Sequence, residues 1–281
     1  MAIILDGKTA SDEVMEELAK QVKAFKQKGV TPGLALVLTG EDKNSERYVK
    51  LKQRRAESIG IYTEFHHLGK TTDKELVEVI KKLNDDSKIH GVMVQLPLAE
   101  GLNELTAVEA IAPEKDVDAL SPHTLGKILM GEEAFPPAGV EAIMDLLRRN
   151  GIDPEHKHWV IVGKSNFLSK PLAATLANMK TSVTLIGPNH PNMTEIIKQA
   201  DVLSTEISRK HAVTKDMVKN GVIVIDNGNN YEGRKVFGDV DTEGVSEVAK
   251  AITPVPGGVG PMLITMLMKN TLKATMSSVT S

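Results

Sequence analysis

The stretch "GVMVQLPL", residues 91–98, decides the fold class. Its first four residues show no polar alternation, and Pro97 lacks the N–H that a continuing strand would need. A strand without a polar side is buried on both faces, as in a parallel sheet covered by helices. Similar runs precede it, "AIIL" (2–5) and "GLALVL" (33–38), and "YTEFHHL" (62–68) reads as a further strand. The segments between them, 8–27, 44–58 and 73–85, have a helical period. In the first of these, Ala10, Val14, Leu18 and Val22 follow one another at four-residue steps. Alternation of this kind predicts an α/β unit.

The pattern restarts after "AFPPAG" (134–139). A helix is expected at 139–149, a strand at "HWVIVG" (158–163), a helix at 170–179 and a strand at "SVTLI" (182–186). A helix at 193–199 and strands at "DVLST" (201–205) and "GVIVID" (221–226) follow. The apolar, methionine-rich stretch 261–276 reads as a last helix. No fixed-period repeat marks a solenoid. Two α/β domains are expected, the second carrying a parallel sheet.

The length of 281 residues suits two modest domains. Apolar residues make up 41% and charged residues 25%, an ordinary globular balance. A net charge of −3 gives no general attraction to nucleic acid or to an anionic membrane, and neither is expected as a partner. With no cysteine, disulfides, thiolate catalysis and cysteine-held metals are excluded. The N-terminus does not read as a signal peptide, and no run reaches the roughly 18 apolar residues of a membrane span. The expectation is a soluble, cytoplasmic protein.

On a helix over 48–59, Tyr48, Val49, Leu51, Ala56 and Ile59 form a broad apolar face. Lys52 falls inside that face and Lys50 outside it. Burial would lower the pKa of Lys52 and favour a neutral amine able to take a proton, with Tyr48 one turn away. The stem of Lys52 could equally pack while its head reaches water. The residues of this helix leave both readings open.

Four other strings carry candidate chemistry. Gln95 stands at the carboxyl end of a buried strand, where open α/β sheets bind ligands. "PEKDVDAL" (113–120) gathers acids that either bind a cationic ring or cap a turn. No histidine lies at ligand spacing from them, and His66 and His67 point to opposite faces of a strand, so no metal site is expected. "VIVGKSNFLSKP" (160–171) joins a strand to a helix and offers N–H groups to an anion. It is not a Walker A loop, because His158 stands at the first glycine position. "ITPVPGGVGPM" (252–262) mixes three prolines with three glycines and can lay bare backbone against a flat ligand.

In order along the chain, "SERYVKLK" (45–52), "GVMVQLPL", "PEKDVD" (113–118), "VIVGKS" (160–165), "GVIVIDNGNN" (221–230), "GDV" (238–240) and "ITPVPGGVGPM" resemble one family. It is the bifunctional methylenetetrahydrofolate dehydrogenase / methenyltetrahydrofolate cyclohydrolase family. The resemblance implies two α/β domains with a cleft between them, usually in a homodimer. It makes 1–138 a folate-binding catalytic domain and 139–260 a Rossmann-like dinucleotide domain, with helix 261–281 returning to the first. It implies oxidation of 5,10-methylenetetrahydrofolate with NADP, then hydrolysis of the methenyl product to 10-formyltetrahydrofolate.

The resemblance makes Lys52 the main catalytic group, tuned by Tyr48 and Gln95, and puts Asp118 on the pterin. Val94, Leu96 and the loop Pro256, Gly257, Gly258, Val259 and Gly260 join them at the substrate. Gly163, Lys164, Ser165 and Asn229 are carried over to the dinucleotide.

The chain departs from the family pattern chiefly in the dinucleotide half. Lys164 stands for an arginine, Leu168-Ser169 for Val-Gly, Gly187-Pro188 for His-Ser, and Ser208, beside Glu206, for a glycine. "AFPP" replaces Pro-Cys-Thr-Pro, and Ala119 replaces a glycine. These changes keep open use of NAD, cyclohydrolase activity alone, or folate binding without hydride transfer.

Overall fold

In the computed structural model, which describes residues 2–233 and 235–280, the strand–helix alternation is realised from end to end. The end points Met1 and Ser281 of the expected domains lie outside the described residues. The elements run β1 (Ile3–Ile4), α1 (Gly7–Gln27), β2 (Gly33–Thr39), α2 (Lys43–Ser58), β3 (Tyr62–Leu68), α3 (Asp73–Asp85) and β4 (Gly91–Val94). Next come α4 (Glu104–Glu109), α5 (Pro122–Met130), α6 (Ala138–Arg149), β5 (His158–Val162), α7 (Ser169–Ala177), β6 (Ser182–Ile186) and α8 (Met193–Ile197). The chain closes with β7 (Val202–Thr205), β8 (Ile223–Asp226), β9 (Asn230–Glu232), β10 (Lys235–Phe237), α9 (Thr242–Ser246), β11 (Ala251–Ile252) and α10 (Val259–Thr280).

Two compact units emerge. One holds the chain through Asp12, Ile128–Glu132 and Gly139–Leu263; the other holds Glu13–Lys127, Glu133–Ala138 and the chain from Ile264 onward. Helix α10 thus groups largely with residues 13–127, while the chain through Asp12 groups with 139–263. The first strand, which sequence order groups with the early strands, pairs Ile3 with Ala251 and Ile4 with Ile252. A two-residue strand carries too little side-chain pattern to name its partner, so pairing follows where the chain can reach.

The unit built on residues 13–127 has a parallel sheet of order β3-β2-β4. The central strand β2 is buried at all seven positions, which explains its unbroken apolar run. Ala35, Val37, Val92 and Val94 on one sheet face pack with Leu76, Ile80 and Leu83 of α3. Thr72 and Glu75 close a reciprocal capping box that starts this helix. Asp42 starts α2 by accepting the N–H of Ser45 at 2.7 Å.

The other unit has a six-stranded sheet of order β1-β11-β8-β7-β5-β6, parallel at every pairing. β5 lies between β6 and β7, so successive strands leave it on opposite sides. That reversal is the switch point at which open α/β sheets form a crevice. The hairpin β9–β10 is antiparallel and was not expected from the sequence. Among the described residues, no helix is long and apolar enough to cross a membrane.

Candidate active site

Lys52 is only 3% exposed. On α2 the buried positions are Val49, Lys52 and Ala56, while Leu51, expected on that face, is 44% exposed. At about 100° per residue, Tyr48, Ile59, Lys52, Ala56 and Val49 fall within one quadrant, and Leu51 lies outside it. Lys52 thus sits in the middle of the buried stripe, and its head does not reach out to water.

Lys52 Nζ donates to Gln95 Oε1 at 3.1 Å, lies 3.9 Å from Met93 Sδ and stands 4.6 Å above the centre of the Tyr48 ring. Gln95 extends β4 beyond Val94, its N–H donating to Val37 O at 2.8 Å. Its side-chain NH₂ donates to Leu96 O at 2.6 Å, which turns the amide oxygen toward the amine. Burial lowers the Lys52 pKa from 10.5 to about 8, and the negative charge of Asp118 opposes that fall. Asp118 is pushed up by burial; Lys52 draws it back down, and Asp116 adds to the rise.

Asp118 is placed by its neighbour. Asp116, 1% exposed, accepts from Leu120 N at 3.1 Å, Ser121 N at 3.0 Å and the Thr124 hydroxyl at 2.7 Å. The Asn270 side chain donates to Val117 O at 2.8 Å and pins the turn from α10. Ala119 holds φ 61°, the left-handed region where the family has glycine.

Tyr48, Lys52, Gln95 and Asp118 therefore converge, with Leu96 supplying a carbonyl. Val94 instead turns its side chain into the α3 core. Met93 was missed in the sequence. Strand alternation offered the signal, because residues 93 and 95 share a face and 94 does not.

Pro256, Gly257, Gly258, Val259 and Gly260 belong to the other unit. There Gly257 takes φ 108° and its carbonyl accepts from Lys8 N at 2.9 Å. A Cβ on Gly7 would stand 1.7 Å from Gly258 O, so the two backbones touch. Part of the loop's glycine content is thus architectural.

The turn after β5 carries Gly163, Lys164 and Ser165. A Cβ on Gly163 would meet Ser169 Oγ at 2.0 Å. Ser165 Oγ accepts from Leu168 N and Ser169 N, both at 3.1 Å, and donates to Glu206 Oε2 at 2.6 Å. The Ser169 hydroxyl donates to the same oxygen. Lys164 and Asn229 are exposed. Two strands away from β5, the buried Asn227 Oδ1 has no hydrogen-bond partner among the described residues and is suited to a ligand's N–H or O–H. The switch point and this acceptor fit a dinucleotide, and the carboxylate of Glu206 lies against the same turn.

A cavity of about 930 Å³ opens at the other ends of β2–β4, lined by Thr31, Tyr62, His90, Lys115 and Ser277 among others. It touches none of the convergent residues. Among the described residues, no group of three or more His, Asp or Glu is placed to hold a metal ion.

Residues 5–118 match the family model for the tetrahydrofolate dehydrogenase/cyclohydrolase catalytic domain, and 137–279 match its NAD(P)-binding domain. Bifunctional protein FolD of Moorella thermoacetica is 44% identical over 275 residues, 97% of this chain and 98% of that protein. The Bacillus subtilis protein of that name is 43% identical over 97% of both chains. The crystal structure of bifunctional FolD from Campylobacter jejuni superposes with a TM-score of 0.96 at 38% identity, covering 99% of this chain and 100% of that one. The Trypanosoma brucei enzyme, complexed with NADP cofactor and inhibitor, gives a TM-score of 0.96 at 31% identity, with 100% and 99% covered.

Proposed function

The chain belongs to the tetrahydrofolate dehydrogenase/cyclohydrolase family, and from that membership we propose how its own residues serve the two reactions. It oxidises 5,10-methylenetetrahydrofolate to the methenyl compound with NADP and hydrolyses that compound to 10-formyltetrahydrofolate.

The observation that carries the hydrolytic role is the buried Lys52 amine on Gln95 Oε1, with its pKa lowered to about 8. A neutral amine keeps one lone pair while an N–H remains on the glutamine. The methenyl bridge is a cation, so water needs only position and proton removal. As the water oxygen bonds to the bridge carbon, Lys52 takes one proton and the ammonium gives it to the leaving ring nitrogen; the bond from carbon to that nitrogen breaks as the new hydroxyl becomes the formyl carbonyl and releases the second proton to solvent. A cationic substrate also favours the neutral amine, since two like charges in one buried site repel. Tyr48 covers the amine with its ring. Asp118 faces the pterin, where a raised carboxyl pKa suits hydrogen bonding to ring nitrogens.

NADP, when bound, would supply the acceptor for the hydride that leaves the methylene carbon. That step needs no acid or base from the protein, only the two partners held face to face. Residues 1–138 with helix 261–281 serve the folate, and 139–260 serve the dinucleotide through the turn Gly163–Ser165 and Asn229. The Pro256–Gly260 loop and the Val94–Leu96 backbone complete the substrate contacts.

A homodimer is part of this proposal; the edge strand β3 offers unpaired backbone for such a contact, and sedimentation showing monomer alone would reject it. So is a cytoplasmic location, consistent with a chain that has no cysteine.

The test follows loss of methenyltetrahydrofolate by the native protein and by Lys52→Ala, with the non-enzymatic rate subtracted. Unchanged hydrolysis in the variant would end the role given to Lys52. Absence of NADP reduction with methylenetetrahydrofolate would end the dehydrogenase half.

A further inference from the structure

Glu206 follows β7 directly, and its N–H donates to Val162 O at 2.7 Å, continuing the ladder beside β5. Its carboxylate therefore stands in the switch-point crevice, opposite the turn that opens α7. Such a turn ordinarily meets an anion with the first amides of its helix. Here those amides are already engaged. Leu168 N and Ser169 N donate to Ser165 Oγ, and the hydroxyls of Ser165 and Ser169 both donate to Glu206 Oε2. A hydrogen-bonded chain thus runs from the helix start through the hydroxyl to a carboxylate within the protein. Ser169 is buried and fills the space directly above Gly163. Among the described residues no lysine or arginine forms an ion pair with Glu206.

We propose that Glu206, fixed by Ser165 and Ser169, sets the affinity of the dinucleotide crevice: it is a built-in anion that weakens binding of NADP and NAD alike by opposing their phosphates. The inference rests on the dinucleotide reading of this unit. It concerns the phosphates common to both cofactors, so it sets affinity and leaves the choice between them to other residues. Because both hydroxyls meet one oxygen, Glu206→Gln keeps an acceptor for them while it removes the charge and puts an NH₂ in place of the other oxygen.

The experiment is calorimetric titration of NADP and of NAD into the native protein, Glu206→Gln and Glu206→Ala, at low and at high salt. Methenyltetrahydrofolate hydrolysis, which needs no dinucleotide, serves as the check on folding. The expected result is that Glu206→Gln binds both cofactors about tenfold tighter or more at low salt. The gain should shrink at high salt, as screening of a charge requires and a purely structural role does not. Unchanged or weaker binding by Glu206→Gln, with hydrolysis intact, would overturn the proposal. If no variant and no native protein binds either dinucleotide while hydrolysis persists, the dinucleotide reading fails, and the inference with it.

Discussion

Replacing Lys52 with methionine should stabilise the protein while stopping hydrolysis. The amine is 3% exposed, and its pKa falls from 10.5 to about 8. That difference corresponds to about 3 kcal/mol of preference for the neutral form in the folded state. At pH 7 the unfolded chain holds the proton freely, so the fold carries nearly the whole penalty. Methionine has similar length and volume and no charge. Gln95 Oε1 loses its donor, at a cost of about 1 kcal/mol. The net gain is about 2 kcal/mol at pH 7. The sign with pH is definite. The folded pKa lies below the unfolded one, so the native penalty is complete below about 8 and is relieved as pH climbs from there toward 10.5. By about pH 10 the advantage of the variant should have fallen to near zero. Urea unfolding followed by circular dichroism at both pH values measures this. Trp159, the single tryptophan, lies in the other unit and reports whether that unit is disturbed. A variant no more stable than the native chain at pH 7, or an advantage that persists unchanged at high pH, would refute the burial argument.

Hydrolysis should rise with pH through a midpoint near 8, as the neutral amine accumulates. Asp118→Asn removes the charge that holds the amine up, so the midpoint should move down by about one pH unit, read from the corrected rate profile. Lys50→Ala should leave hydrolysis unchanged and cost less than about 1 kcal/mol, because Lys50 is exposed and its ion pair with Glu46 lies on the surface. Asp116→Ala removes the acceptor of two backbone amides and one hydroxyl, and should cost about 3 kcal/mol in urea unfolding. It should also raise KM for the folate, because the turn that presents Asp118 loosens.

Much of the fold was legible because parallel strands announce themselves locally. The runs at 33–38 and 91–94 are apolar on both faces, and the helices between them repeat with their own period. The helix 43–58 was read to within a residue. β11 and the hairpin β9–β10 were not read at all, since segments of two or three residues carry no period. In the site, Lys52 stood out from its helical position, but Leu51 was misplaced because a helix face drawn too wide includes residues at its rim. Asp116 looked like one of three similar acids. Its role as the acceptor that shapes the turn depends on Ser121 and Thr124, which no spacing rule singles out.

The class of fold, the order of its longer strands and helices, the family and the lysine worth mutating were all readable in the chain, because each rests on patterns within a few turns or on strings read whole. Tertiary structure decided the rest: that Lys52 is buried and held by Gln95, that Met93 rather than Val94 shares its face, that the first strand joins the six-stranded sheet. It also decided that Glu206 lies against Ser165 and Ser169, residues some forty positions away. Burial and charge neighbourhood are properties of what the chain brings together across such distances, and they set whether an amine is neutral or an anion stands in a cofactor's way.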